Sequence, residues 1–107
     1  MVEIQAVSEY NRKHMAAIVR KHIVVSGRVQ GVGFRYRASH AAMHLSLTGW
    51  VRNDEEGTVT MELQGTEENI YRIIPILEKG TWISIDEWKE KDIPVDESER
   101  GFHVRGY

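Results

Sequence analysis

The chain has no cysteine. That absence removes disulfides, thiolate metal clusters and cysteine nucleophiles together, and it fits a reducing compartment. Long apolar runs are missing too. None approaches the ~20 residues that a membrane helix needs. The AAIV stretch at 16–19 is too short, and too closely flanked by charge, to form the core of a secretory signal. The expectation is a cytoplasmic protein with no membrane association. Charge of one sign is also lacking: 14 Lys and Arg against 16 Asp and Glu leave a net charge of −2 and a pI near 6.2. No global basic field is available to hold a nucleic-acid backbone, so nucleic acid is not expected as a partner. Any anion site has to be built locally.

A chain of 107 residues can bury one modest core and not two. With 41% apolar and 28% charged residues its composition is that of an ordered globular domain. Residues 1–21 stand apart as an N-terminal extension. Ile4, Val7, Tyr10 or Asn11, Met15, Ile18 and Val19 recur at roughly helical spacing, which suits a short amphipathic helix. The other reading is a dispensable extension, or translation from upstream of a start at Met15.

From His22 onward the pattern tightens. Ile23, Val25, Gly27 and Val29 alternate as one face of a strand, and Phe34, Ala38, Ala41, Ala42 and Leu45 then fall on one helical stripe. Thr48–Asn53 and Thr58–Gln64 read as strands, joined across the DEEG turn into a hairpin. Thr66 reads as the N-cap of a second helix, with Glu67 and Glu68 at the positive end of its dipole. Ile70, Ile73, Ile74 and Leu77 form its apolar stripe, Lys79 and Gly80 close it, and Pro75 predicts a kink. Trp82–Lys89 alternates as a strand, 92–100 reads as a loop, and FHVRGY is the last strand. This β-α-β-β-α-β order predicts an α+β two-layer sandwich, with an antiparallel sheet and both helices on one face.

Between the first strand and the first helix lies GRVQGVGFR, residues 27–35. Glycines with positive φ let successive backbone N–H groups converge into a concave anion nest, and a helix starting near Phe34 adds its dipole at the same place. Arg35, in the first turn, can fold back over that nest with a planar fork of donors matched to two phosphoryl oxygens. The plainer alternative is a glycine-rich connection with a solvated arginine. Neither GxxxxGK[ST] nor the third glycine of a dinucleotide fingerprint is present. Asn53, at the end of the second strand, either caps the hairpin turn or faces a neighbouring loop. There its amide, one donor group and one acceptor, could orient a water molecule.

GRVQGVGFR at 27–35, GWVRNDEEGTV at 49–59 and Gly65 beyond them closely resemble the two signature motifs of the acylphosphatases. The resemblance covers residues 22–107, taken as one acylphosphatase-like domain. It implies a ferredoxin-like fold and hydrolysis of the carboxyl-phosphate anhydride of acyl phosphates, with no metal and no cofactor. Residue by residue, it implies that Arg35 is the phosphate-binding catalytic arginine and Asn53 the water-orienting asparagine. Gln30, Gly31, Val32, Gly33, Phe34 and Arg35 would grip the phosphoryl group. The implied ligands are a small-molecule acyl phosphate and inorganic phosphate; no protein partner is implied. One departure stands out: Gly106 separates Arg105 from Tyr107, where the family commonly closes on Phe-x-(Val/Ile)-Arg-Tyr.

Other features carry less. His40 and His44 share a helical face at the spacing of a two-histidine metal clip, but no third ligand is evident and a solvent-facing pair is the expectation. Arg28, Arg37 and Arg52 either raise the local positive potential or are solvated surface charge. Trp50, Trp82 and Trp88 are expected to pack rather than to stack on bases. Two rival functions remain on a fold of this class: an RNA-binding module, and an acylphosphatase-like regulatory domain that binds anions without turnover.

Overall fold

The computed structural model describes residues 17–106. Its elements run β1 (Val19–Arg28), α1 (Phe34–His44), β2 (Thr48–Asn53), β3 (Val59–Gly65), α2 (Glu67–Glu78), β4 (Ser84–Ile93) and β5 (Phe102–Arg105). The strands form one sheet in the order β4-β1-β3-β2-β5. Both helices lie on one face. Phe34, Ala38, Ala41 and Ala42 of α1, with Ile70, Ile73 and Leu77 of α2, share a core with Ile23, Val25, Val51, Val59, Met61 and Leu63 of the sheet. The stripes read from the sequence are thus the buried faces, as the hydrophobic effect requires of an amphipathic helix on a sheet.

Local chemistry accounts for the ends of α2. The Thr66 hydroxyl accepts from the Asn69 amide, Glu67 and Glu68 sit in the first turn, and the helix runs on through Pro75 to Glu78. Pro75 lies three residues from the end, so its missing N–H removes a bond near a terminus that frays anyway.

Three expectations are corrected. The sheet is mixed, because β5 pairs with β2 in parallel, Gly49 opposite Phe102 and Arg52 opposite Arg105. The cause is the connection: β4 ends where β1 begins, with Ile93 opposite Arg20, and the following loop stays at that end. There Glu99 bonds to Arg20, and Gln64 exchanges hydrogen bonds with the backbone of Asp96, so the chain enters the far edge running the same way as β2. Strand β4 starts at Ser84, not Trp82, and extends to Ile93, into the stretch read as loop. Finally, Val19 opens β1 and Ile18 precedes it as non-helical chain, so neither belongs to the suggested N-terminal helix. The rest of that helix lies outside the described residues, as does Tyr107.

Candidate active site

The topology gathers four segments at one end of the sheet. Strand β1 delivers the 29–33 loop there, and Asn53 ends β2 opposite Val59, which itself pairs across to Val25 late in β1. Because β5 runs parallel to β2, Arg105 and Gly106 arrive at the same end. The start of α1 completes the group.

Gly31 has φ 72° and Gly33 φ 79°, and Gly33 is the N-cap of α1. A Cβ at either would meet no atom within 4 Å, so the left-handed backbone, and not crowding, calls for glycine. With no side chain on Gly33 to cap the helix, the first-turn amides keep their positive end exposed to a ligand. Arg35 and Asn53 line a pocket of about 190 Å³ together with Val29, Gly31, Gly33, Phe34 and Tyr36. Both also line an adjoining recess of about 300 Å³ with Gln30, Asp54, Glu55 and Gly106. Two residues 18 positions apart in the chain are thereby brought to one cavity.

The Arg35 guanidinium donates from Nη1 to the carbonyl oxygen of Arg105 at 3.2 Å. Gly106, with φ 77°, lies alongside: a Cβ there would sit 3.8 Å from the same nitrogen. The Arg105 guanidinium itself turns to the open face of the sheet, 4.4 Å from the Trp50 ring, with that of Arg52 at 5.1 Å. Trp50 is buried under these two cations, so it packs, as its sequence context suggested.

The six residues assigned to phosphate fall into two kinds. Phe34 is buried in the core and Val32 packs against it, leaving only their main chain for a ligand. Gln30 has a different task. Its Nε2 donates to the carbonyl oxygens of Asp54 at 2.7 Å and Thr58 at 2.8 Å, tying the loop to the hairpin turn that carries Asn53. Any Gln30 contact with phosphate through those donors is therefore replaced by a positioning bond. The turn is fixed in its own right: the Asp54 carboxylate accepts from the hydroxyls of Thr60 at 2.6 Å and Thr58 at 2.8 Å, and from Arg52 Nε at 3.1 Å. Burial alone would raise the Asp54 carboxyl, but the Thr60 and Thr58 hydroxyls and Arg52 outweigh it and hold it below the ordinary carboxylate range. Glycine spacing signalled the left-handed loop; nothing in sequence spacing signals that Gln30 or the Arg105 carbonyl would brace it.

His40 and His44 are exposed on α1, and the described residues contain no cluster of three His, Cys, Asp or Glu able to hold a metal ion. Among the described residues no helix is long and apolar enough to cross a membrane.

A left-handed glycine loop at a helix start, with an arginine and an asparagine in its pocket, marks the site end of this α+β sandwich. The sequence model of the family described as Acylphosphatase matches residues 21–104. An acylphosphatase of Bifidobacterium longum is 42% identical over 95 residues, covering 87% of this chain and 98% of the relative. One of Geobacillus thermodenitrificans is 43% identical over 83 residues, covering 75% and 88%. The solved structure of an acylphosphatase from Coxiella burnetii superposes with a TM-score of 0.75 at 32% identity, over 84% of this chain and 95% of that one. The chain belongs to the acylphosphatase family.

Proposed function

We propose that this enzyme hydrolyses the carboxyl-phosphate anhydride of small acyl phosphates, with Arg35 and Asn53 as its catalytic residues. The observation that carries the reading is their convergence on one pocket walled by Gly31 and Gly33. The phosphoryl group sits on the main-chain amides from Gln30 to Arg35, and the Arg35 fork spans two of its oxygens. The Arg105 carbonyl restrains the guanidinium, so less side-chain freedom is lost when substrate enters. Asn53 holds a water in line with the bond to be broken. The water oxygen bonds to phosphorus as the bond from phosphorus to the carboxyl oxygen breaks; carboxylate leaves with the bonding pair, and a phosphoryl oxygen takes the water proton. The products are a carboxylate and inorganic phosphate.

Such a reaction asks the protein mainly for position and charge, because the leaving carboxylate is good and the phosphoryl oxygens carry the developing charge. A cytoplasmic setting suits a cysteine-free chain acting on so labile a substrate. The test uses metal-stripped protein with benzoyl phosphate. Turnover should survive chelation, fall with added inorganic phosphate, and drop to near background in a folded Asn53→Ala variant. Phosphate binding without turnover would favour the non-catalytic regulatory reading instead, and salt-dependent RNA binding without turnover would overturn both.

A further inference from the structure

Beside the phosphate pocket runs a larger groove, about 670 Å³, along the outer flank of α1. The two cavities share Gly33 and Tyr36 as walls. Ala41 and Ile76 give the groove an apolar lining, and Trp82 stands on its other side in the turn before β4. Arg37 donates to the Ile76 carbonyl at 3.4 Å, joining α1 to α2 across it.

We infer that this groove receives the acyl half of the substrate, and that it selects a flat apolar acyl group, such as an aryl group, over a small one. The inference rests on the proposed hydrolysis at the adjoining pocket. Size is the first argument: the phosphate pocket and its adjoining recess, about 190 and 300 Å³, reach at most the lower edge of the roughly 300–1,000 Å³ of sites that enclose whole small molecules, and the groove of about 670 Å³ falls well within that range. Continuity is the second. Gly33 and Tyr36 wall both cavities, so an acyl substituent that leaves the phosphate pocket on that side enters the groove. Surface chemistry is the third. Tyr36 is 70% exposed and Trp82 64% exposed, large rings that the core does not use. The Tyr36 ring rests on His40 with centroids 4.3 Å apart, which steadies it as a wall. Tyr36, His40 and His44 recur every four residues, so at 1.5 Å rise per residue the groove extends about 12 Å along the helix, room for a fused aromatic body.

The experiment compares kcat/KM for acetyl phosphate and 2-naphthoyl phosphate. Wild type should prefer the naphthoyl substrate. Trp82→Ala should lower kcat/KM for it about tenfold, through KM, and leave acetyl phosphate unchanged. Trp82→Phe should restore most of the loss, and Met43→Ala, an exposed change on α1 outside the groove, should have no effect on either substrate. The inference is overturned if wild type shows no preference for the larger acyl group, if the Trp82→Ala ratio equals that of wild type, or if Met43→Ala reproduces it; in each case the proposed hydrolysis stands. Wild type that turns over neither substrate overturns the hydrolysis itself, and the acyl groove with it.

Discussion

The two ends of β1 both set cations in place, and they use them in opposite ways. At the start of the strand Arg20 and Lys21 are only 5% and 4% exposed. Arg20 is bound by Glu99 at 2.6 Å and Glu62 at 3.0 Å, and also donates to Gln64. Lys21 is bound by Asp92 at 2.7 Å, Glu67 at 3.2 Å and Glu90 at 3.3 Å. The hydrogen bond to Glu99 outweighs the opposing effect of burial and raises the Arg20 pKa, and the Asp92 contact does the same for Lys21. Arg20 holds the connection to β5 against the sheet, Lys21 ties β4 and the first turn of α2 to β1, and both are closed to any ligand. At the other end Arg35 lines two cavities beside the glycine loop and the start of α1. A cation caged by carboxylates stabilises the fold; a cation set on a pocket wall can bind an anion from solution.

The largest expected consequence is catalytic. Removing the fork with Arg35→Ala should lower kcat for benzoyl phosphate by about 10²- to 10³-fold, with the far-ultraviolet circular dichroism and melting temperature close to wild type. Arg35→Lys should recover little, because a point charge cannot span two oxygens. A variant at position 35 that keeps most of its activity would erase the distinction between the two ends.

Arg20→Met should do the reverse. Taking one partner from a nearly buried ion cluster leaves Glu62 and Glu99 without their shared cation, for a loss of about 3 kcal/mol in denaturant unfolding. Turnover by the folded fraction should be unchanged. A folded Arg20→Met enzyme with a kcat loss rivalling that of Arg35→Ala would mean that the far end shapes the pocket.

Gln30 sharpens the comparison, since it belongs to the site end yet does structural work. Gln30→Ala loses two hydrogen bonds to the Asp54 and Thr58 carbonyls, about 1–2 kcal/mol, and should lower kcat roughly tenfold by loosening Asn53. Gln30→Glu should be worse than alanine, because a carboxylate would face two carbonyl oxygens with no proton to give. Equal effects of the two changes would argue against a positioning role.

The same contrast explains what was legible in the sequence. Helical stripes, the hairpin and the Thr66 cap depend on neighbours within a few residues, and all appear as read. Arg35 and Asn53, singled out by motif spacing, line one pocket. The caging of Lys21 was not legible, for its partners come from β4 and the first turn of α2, far along the chain. The parallel entry of β5 was hidden for a like reason: it depends on Glu99 and Asp96 docking on the open sheet face, which no local period encodes. Trp82 was misassigned to a strand because an aromatic before an alternating run has strand chemistry whether it is paired or exposed.

The smallest effect concerns pH at the site end. The folded Asp54 carboxyl lies below its ordinary range, so its contribution to stability is complete above the unfolded value of about 3.9 and disappears as pH falls through the folded value. Asp54→Asn keeps the shape and removes the titration. At pH 7 the variant should be less stable than wild type by about 1 kcal/mol, the usual scale for charge-assisted bonds to hydroxyls after solvation is counted. As pH drops below the unfolded value the two unfolding curves should converge, because wild type then loses what the variant already lacks. No gap between the two proteins at pH 7 would show that Asp54 braces the hairpin by shape alone, without help from its charge.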